Sequence, residues 1–145
     1  MASFRVLVVD DFEPFRRFIC RTLRKREDLH VICEVSDGLK AVQKAQELKP
    51  DLILLDIRLP MLNGIEAARQ IRELTPESKI IFVSNESSPD LVHEALTLGG
   101  VGYILKTMAG NDLLAAVEAV RHGRRFVSGL LGQYFTDASL QTVDG

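Results

Sequence analysis

Five polar residues stand where apolar runs of this chain stop, and together they could do chemistry. Asp10 and Asp11 follow Val6–Val9, Asp56 follows Leu52–Leu55, Ser84 follows Ile80–Val83, and Lys106 follows Tyr103–Leu105. Taken singly, each has an ordinary explanation: a helix cap, a loop opening, a strand-end hydroxyl or a solvated charge. As a set they describe a site. Three carboxylates in one cleft repel one another unless a cation lies among them, and hard oxygen ligands favour Mg²⁺ over zinc. A carboxylate beside Mg²⁺ can attack a phosphoryl group and hold it as an acyl phosphate. A lysine then supplies a point charge for the phosphoryl oxygens, and a hydroxyl supplies a hydrogen bond. No glycine-rich nucleotide cradle or Walker lysine motif is present, so the set suits receiving a phosphoryl group better than binding ATP.

The elements that must position these residues alternate in period. Short β-rich runs recur at Val6–Val9, Val31–Val35, Leu52–Leu55, Ile80–Val83 and Tyr103–Leu105. Between them apolar residues fall at helical spacing, as in Phe15, Ile19 and Leu23 or Ile65, Ala68 and Ile71. Pro14 and Ser88-Pro89-Asp90 mark helix starts, and Lys49-Pro50, Thr75-Pro76 and Gly123 mark helix ends. Leu52–Leu55 is apolar throughout, as a strand covered on both faces must be. Strand then helix, five times over, predicts a parallel sheet with right-handed crossovers and helices on both sides. In such a sheet ligands bind beyond the carboxyl ends of the strands. If the strand order is 2-1-3-4-5, the first and third strands are neighbours there and the three acids converge.

Composition bounds the function. The chain of 145 residues is 46% hydrophobic and 26% charged, the make-up of one ordinary globular domain. Eighteen basic against twenty acidic residues give a net charge of −2, which argues against a nucleic-acid-binding domain. Cys20 and Cys33 lack metal or redox spacing, and His30, His93 and His122 are scattered. The amino-terminal apolar run meets Asp10-Asp11 too early for a signal peptide, and no run could span a bilayer. A soluble cytoplasmic domain is expected.

Val-Val-Asp-Asp at 8–11, Asp56-Ile-Arg-Leu-Pro-Met-Leu-Asn-Gly64, Val83-Ser-Asn85 and Gly102-Tyr-Ile-Leu-Lys106 resemble the receiver domain of two-component response regulators. The likeness is greatest to receivers of regulators with a LuxR-type helix-turn-helix domain. It implies a doubly wound, five-stranded flavodoxin-like (βα)5 sheet of order 2-1-3-4-5 over residues 1–124. Residues 125–145 would be an extension, with a short helix around Leu130, Leu131, Tyr134 and Phe135. The resemblance further implies that Asp56 accepts phosphate from a histidine kinase or phosphotransfer protein. Asp10, Asp11, Asp56 and the backbone carbonyl of Arg58 would hold Mg²⁺, and Lys106 would pair with the phosphate. Ser84 and Tyr103 would form the switch, with Tyr103 turning inward and remodelling the surface of the fourth helix, fifth strand and fifth helix, where a partner or second copy docks.

Two positions depart from the family pattern. Asn85 replaces a small residue, which bears on access to the phosphate. Thr107 replaces proline, so a trans Lys106–Thr107 bond is expected. The domain would catalyse only its own phosphorylation and dephosphorylation, with no membrane contact and no DNA binding by this chain alone. Two alternatives fit the same elements: an aspartate-nucleophile phosphatase of the haloacid dehalogenase type, which wants Asp-x-Asp where this chain has Asp10-Asp11-Phe12, and a flavodoxin-like cofactor binder. The extension is too short for a helix-turn-helix domain, so the chain is either a stand-alone receiver or a piece of a longer regulator.

Overall fold

The computed structural model describes residues 3–129. Strands β1 (Phe4–Val9), β2 (Leu29–Val35), β3 (Leu52–Leu55), β4 (Lys79–Ser84) and β5 (Gly102–Leu105) alternate with helices α1 (Glu13–Leu23), α2 (Gly38–Leu48), α3 (Gly64–Leu74), α4 (Pro89–Thr97) and α5 (Ala109–Arg121). A 3₁₀ turn at Lys106–Met108 joins β5 to α5, and a short strand β6 (Phe126–Val127) follows. The sheet is parallel, in the order β2-β1-β3-β4-β5-β6. The expected five strands and their order are present, and the sheet has one more. Phe126–Val127, within the stretch read as an extension, adds to the edge of β5 because that edge would otherwise leave backbone groups unpaired. The proposed helix around Leu130, Leu131, Tyr134 and Phe135 lies outside the described residues.

Alternation along the strands divides the core in two. Leu52 and Leu54 of β3 pack with Ile19, Leu23, Leu113 and Val117 of α1 and α5. Ile53 and Leu55 pack with Ala41, Ile65, Ile71 and Val92 of α2, α3 and α4. Each residue of β3 is therefore buried, which explains a run with no polar member. None of the helices among the described residues is long and apolar enough to cross a membrane.

The punctuation works as its chemistry requires. Pro14 lies in the first turn of α1, and Asp37 and Asn63 cap α2 and α3 by accepting from the amides of Lys40 and Glu66. Ser88 stands at the start of α4 but makes no side-chain cap bond, leaving Pro89 and Asp90 to define that end. Gly64 opens α3 where the chain passes against the strand end: its amide donates to the Ile57 carbonyl at 2.7 Å. A Cβ there would lie 2.0 Å from the Asp56 carbonyl oxygen. Gly64→Ala should therefore push Asp56 out of register and destabilise the fold by about 2–4 kcal/mol in urea unfolding. A loss below about 0.5 kcal/mol would show that the loop yields freely.

Candidate functional site

Parallel pairing carries the acids to one place. The Asp10 amide donates to the Val35 carbonyl and the Asp56 amide to the Val9 carbonyl, both at 3.1 Å, so each acid continues a ladder one step past its strand. Asp10, Asp11 and Asp56 each offer a carboxylate oxygen within 4.8 Å of the others. Asp10 and Asp56 are buried and Asp11 is exposed. Lys106 reaches across from the end of β5 and bonds both buried acids, at 2.8 Å to Asp10 Oδ2 and 2.9 Å to Asp56 Oδ2. Its Nζ also lies 4.7 Å from the centre of the Phe15 ring. The remaining oxygens of these two acids are held by the backbone: Phe12 N–H donates to Asp10 Oδ1 and Ile57 N–H to Asp56 Oδ1.

Above them opens a cavity of about 540 Å³, lined by Asp11, Phe12, Phe15, Asp56, Arg58, Asn85, Lys106 and Thr107. Asp56 is thus the acid that both faces the cavity and bonds Lys106. Phe12 is 60% exposed at the mouth. No peptide bond among the described residues is cis, so Lys106–Thr107 is trans as expected.

The charge balance follows directly. Three carboxylates against one ammonium leave two negative charges at a largely buried floor. Burial pushes the Asp56 carboxyl above the usual range; the Lys106 hydrogen bond opposes this and the nearby Asp10 charge adds to it. Burial lowers Lys106, but its bonds to Asp10 and Asp56 outweigh that and hold it above its ordinary value. The donor set is all oxygen and carries the charge a divalent ion would balance, so these residues fit Mg²⁺.

Beside the acids, Ser84 and Tyr103 converge on one residue that their sequence positions did not reveal. Glu86 N–H donates to Ser84 Oγ at 3.1 Å, and Tyr103 Oη donates to the Glu86 carbonyl at 2.8 Å. The Glu86 carboxylate pairs with Arg58, whose Nε lies 2.5 Å from it. Tyr103 is fully buried against Phe82, ring centres 6.2 Å apart, and burial pushes its hydroxyl up to about 12. Tyr103 therefore stands inward, its hydroxyl on the Glu86 carbonyl and its ring beside Phe82. Sequence could have found the Arg58–Glu86 pair: the two stand two residues beyond Asp56 and Ser84, at the ends of neighbouring strands.

A doubly wound parallel sheet with an acidic, lysine-bridged site at its carboxyl edge defines an α/β class of flavodoxin-like architecture. Comparison makes this specific: the family model described as "Response regulator receiver domain" matches residues 6–118. The chain belongs to that family, a component of two-component systems, and not with the phosphatase or cofactor-binding alternatives. It is 35% identical over 119 residues to the transcriptional regulatory protein LnrK of Bacillus subtilis, covering 82% of this chain and 54% of that protein. It is 37% identical over 121 residues to the response regulator protein VraR of Staphylococcus aureus, covering 83% and 58%. The chain thus spans little more than half the length of these relatives. Among solved structures, a LuxR-family two-component response regulator from Aurantimonas sp. SI85-9A1 superposes with TM-score 0.87 at 29% identity, covering 92% of this chain and 95% of that one. The response regulator domain of Thermotoga maritima CheB gives TM-score 0.74 at 35% identity, covering 80% and 94%.

Lys106→Met should strand two buried carboxylates and cost about 3 kcal/mol at neutral pH. The loss should shrink as pH falls, because the Asp56 carboxyl, raised in the folded state by burial, takes up a proton there and favours folding. Asp56→Asn should do the opposite at neutral pH, raising the melting temperature by roughly 2–4 °C, the response of a domain this size to about 1 kcal/mol. Thermal melts across pH check both signs, and a stabilising Lys106→Met would contradict the charge balance.

Proposed function

We propose that Asp56 is the phosphoacceptor of a signalling switch, taking its phosphoryl group from a phosphohistidine on a sensor kinase or phosphotransfer protein. The observation that carries this reading is that Asp56 combines access to the cavity with a direct bond to Lys106. Asp10 has the lysine without lining the cavity, and Asp11 lines the cavity without the lysine.

In the transfer, a carboxylate oxygen of Asp56 bonds to phosphorus as the phosphorus–nitrogen bond breaks, and the donor imidazole leaves with that electron pair. Lys106, already positioned at Asp56, meets the phosphoryl oxygens as a point charge. Asp10, Asp11, Asp56 and the backbone carbonyl of Arg58 would hold Mg²⁺. That ion supplies charge neutralisation at the phosphoryl oxygens. Asn85 and Thr107 line the route by which water reaches the acyl phosphate, so they bear on its lifetime. On this reading the domain promotes its own phosphorylation and hydrolysis and turns over no unrelated ester.

The readout is the loop after β4. A phosphoryl group beside Ser84 competes for the hydroxyl that now accepts from Glu86, and Glu86 holds Tyr103 and Arg58 as well. A change at Ser84 therefore reaches the surface of α4, β5 and α5, where a partner or second copy would dock. LnrK is described as a transcriptional regulatory protein. By analogy, control of transcription would belong to a longer protein containing this domain, since a chain of net charge −2 is not suited to hold DNA itself.

Acetyl phosphate with Mg²⁺ should label Asp56 and no other side chain, as mapped by peptide mass. Chelation of Mg²⁺ and the Asp56→Asn substitution should each abolish labelling. Undiminished label in Asp56→Asn would overturn the reading.

A further inference from the structure

The outer edge of β5, part of the face on which partners were expected, is already occupied. β6 pairs with it in the register Gly102↔Phe126 and Tyr103↔Val127. Gly102 permits the approach: a Cβ there would lie 3.1 Å from the Phe126 carbonyl oxygen. The residue after β6 makes the tighter attachment. Ser128 is fully buried, and its amide donates to the Tyr103 carbonyl at 2.9 Å. Its hydroxyl accepts from Leu105 N–H at 3.0 Å and donates to Asp112 Oδ2, in the first turn of α5, at 2.9 Å. One side chain thus ties β5 to α5 between Tyr103 and Lys106. The backbone N–H of Ser128 holds the Tyr103 carbonyl, and its hydroxyl holds the N–H of Leu105, the residue before Lys106.

We propose that Ser128 is a positioning residue of the phosphoacceptor site and the point at which the state of Asp56 passes to the chain beyond it. The proposal rests on the phosphoacceptor reading above and extends it to an exit route. A phosphoryl group on Asp56 moves negative charge outward from the carboxyl carbon, and Lys106, now 2.9 Å from that carboxylate, follows the charge. The shift carries the backbone at Leu105 with it. Ser128 does not follow, because Asp112 anchors its hydroxyl to α5. The Leu105–Ser128 bond is therefore the one that gives. β6 has only two paired residues, so a small perturbation changes how often it opens. Coupling of this kind is reciprocal: if the phosphoryl group loosens β6, loosening β6 must favour the phosphoryl group by the same factor. A residue that merely supported Lys106 would give the opposite sign.

The test is NMR on the intact chain with Mg²⁺, with and without beryllofluoride as the phosphoryl mimic. In the parent, amide exchange at Leu105 and Ser128 should quicken at least ~5-fold when beryllofluoride binds. In Ser128→Ala exchange there should be fast in both states, and beryllofluoride should bind about 3- to 10-fold more tightly. Ser128→Thr, which keeps the hydroxyl, should restore parent behaviour. Asp112→Asn, which weakens only the anchor, should shift affinity in the same direction by less. If beryllofluoride moves the Asp56 and Ser84 resonances while Leu105 and Ser128 exchange unchanged, the role of Ser128 is overturned and the phosphoacceptor reading stands. Parent-like or weaker binding by both Ser128→Ala and Asp112→Asn overturns it equally. No response at Asp56 or Ser84 at saturating beryllofluoride overturns the reading and this proposal together.

Discussion

One ammonium group shared between two buried carboxylates organises the working end of this domain. Lys106 Nζ bonds Asp10 and Asp56 at once, drawing the ends of β1, β3 and β5 together. Such an arrangement is costly in isolation, because desolvating charges consumes much of what their attraction returns. It persists because the sheet around it is rigid. Leu52–Leu55 and Val6–Val9 are buried on both faces, so the strand ends are fixed by packing that has nothing to do with the charges. With Asp11 added, the lysine does not neutralise the site, and the residual negative charge suits it to a cation.

The same frame sets the partners of Asp56 side by side. Asp56 stands at the end of β3, Ser84 at the end of β4, and Tyr103 and Lys106 at or just beyond β5, three adjacent strands in the sheet. Glu86 joins the first two loops, through its backbone to Ser84 and Tyr103 and through its carboxylate to Arg58. Ser128 joins the third strand to β6 and α5. No residue in this set is far from Asp56 in bonded steps, so a change there need not travel through the core. On the proposed reading, two-state behaviour would reside in loops and a two-residue strand, whose opening costs little, and not in the packed sheet.

How much of this was legible in the sequence depended on the kind of signal. Apolar periodicity and proline or glycine punctuation located β1–β5 and α1–α5, because each is long enough to repeat its pattern. Asp10, Asp11, Asp56, Ser84 and Lys106 were legible because each follows an apolar run, and a polar residue at a strand's carboxyl end in a parallel sheet has few places to go. β6 was missed: two residues carry no period, and Phe126–Val127 reads equally well as part of a tail. Glu86 was missed because most of its role is played by its backbone, which sequence does not distinguish. Ser128 was missed because a lone serine acquires its role only through burial and three partners distant in the chain. The contact that holds Tyr103 inward was missed for a related reason, since its carbonyl belongs to a loop without pattern.

The central claim is that a lysine-bridged trio of acids carries unbalanced negative charge, and that this charge is what receives a divalent ion. Calorimetric titration of the metal-free protein with Mg²⁺ tests it most directly, comparing the parent with Asp56→Asn. The account predicts one Mg²⁺ site in the parent and an affinity at least ~10-fold lower in Asp56→Asn, the loss expected on removing a charged ligand from an oxygen site. Equal affinity in the two proteins, or no binding by the parent, would contradict it.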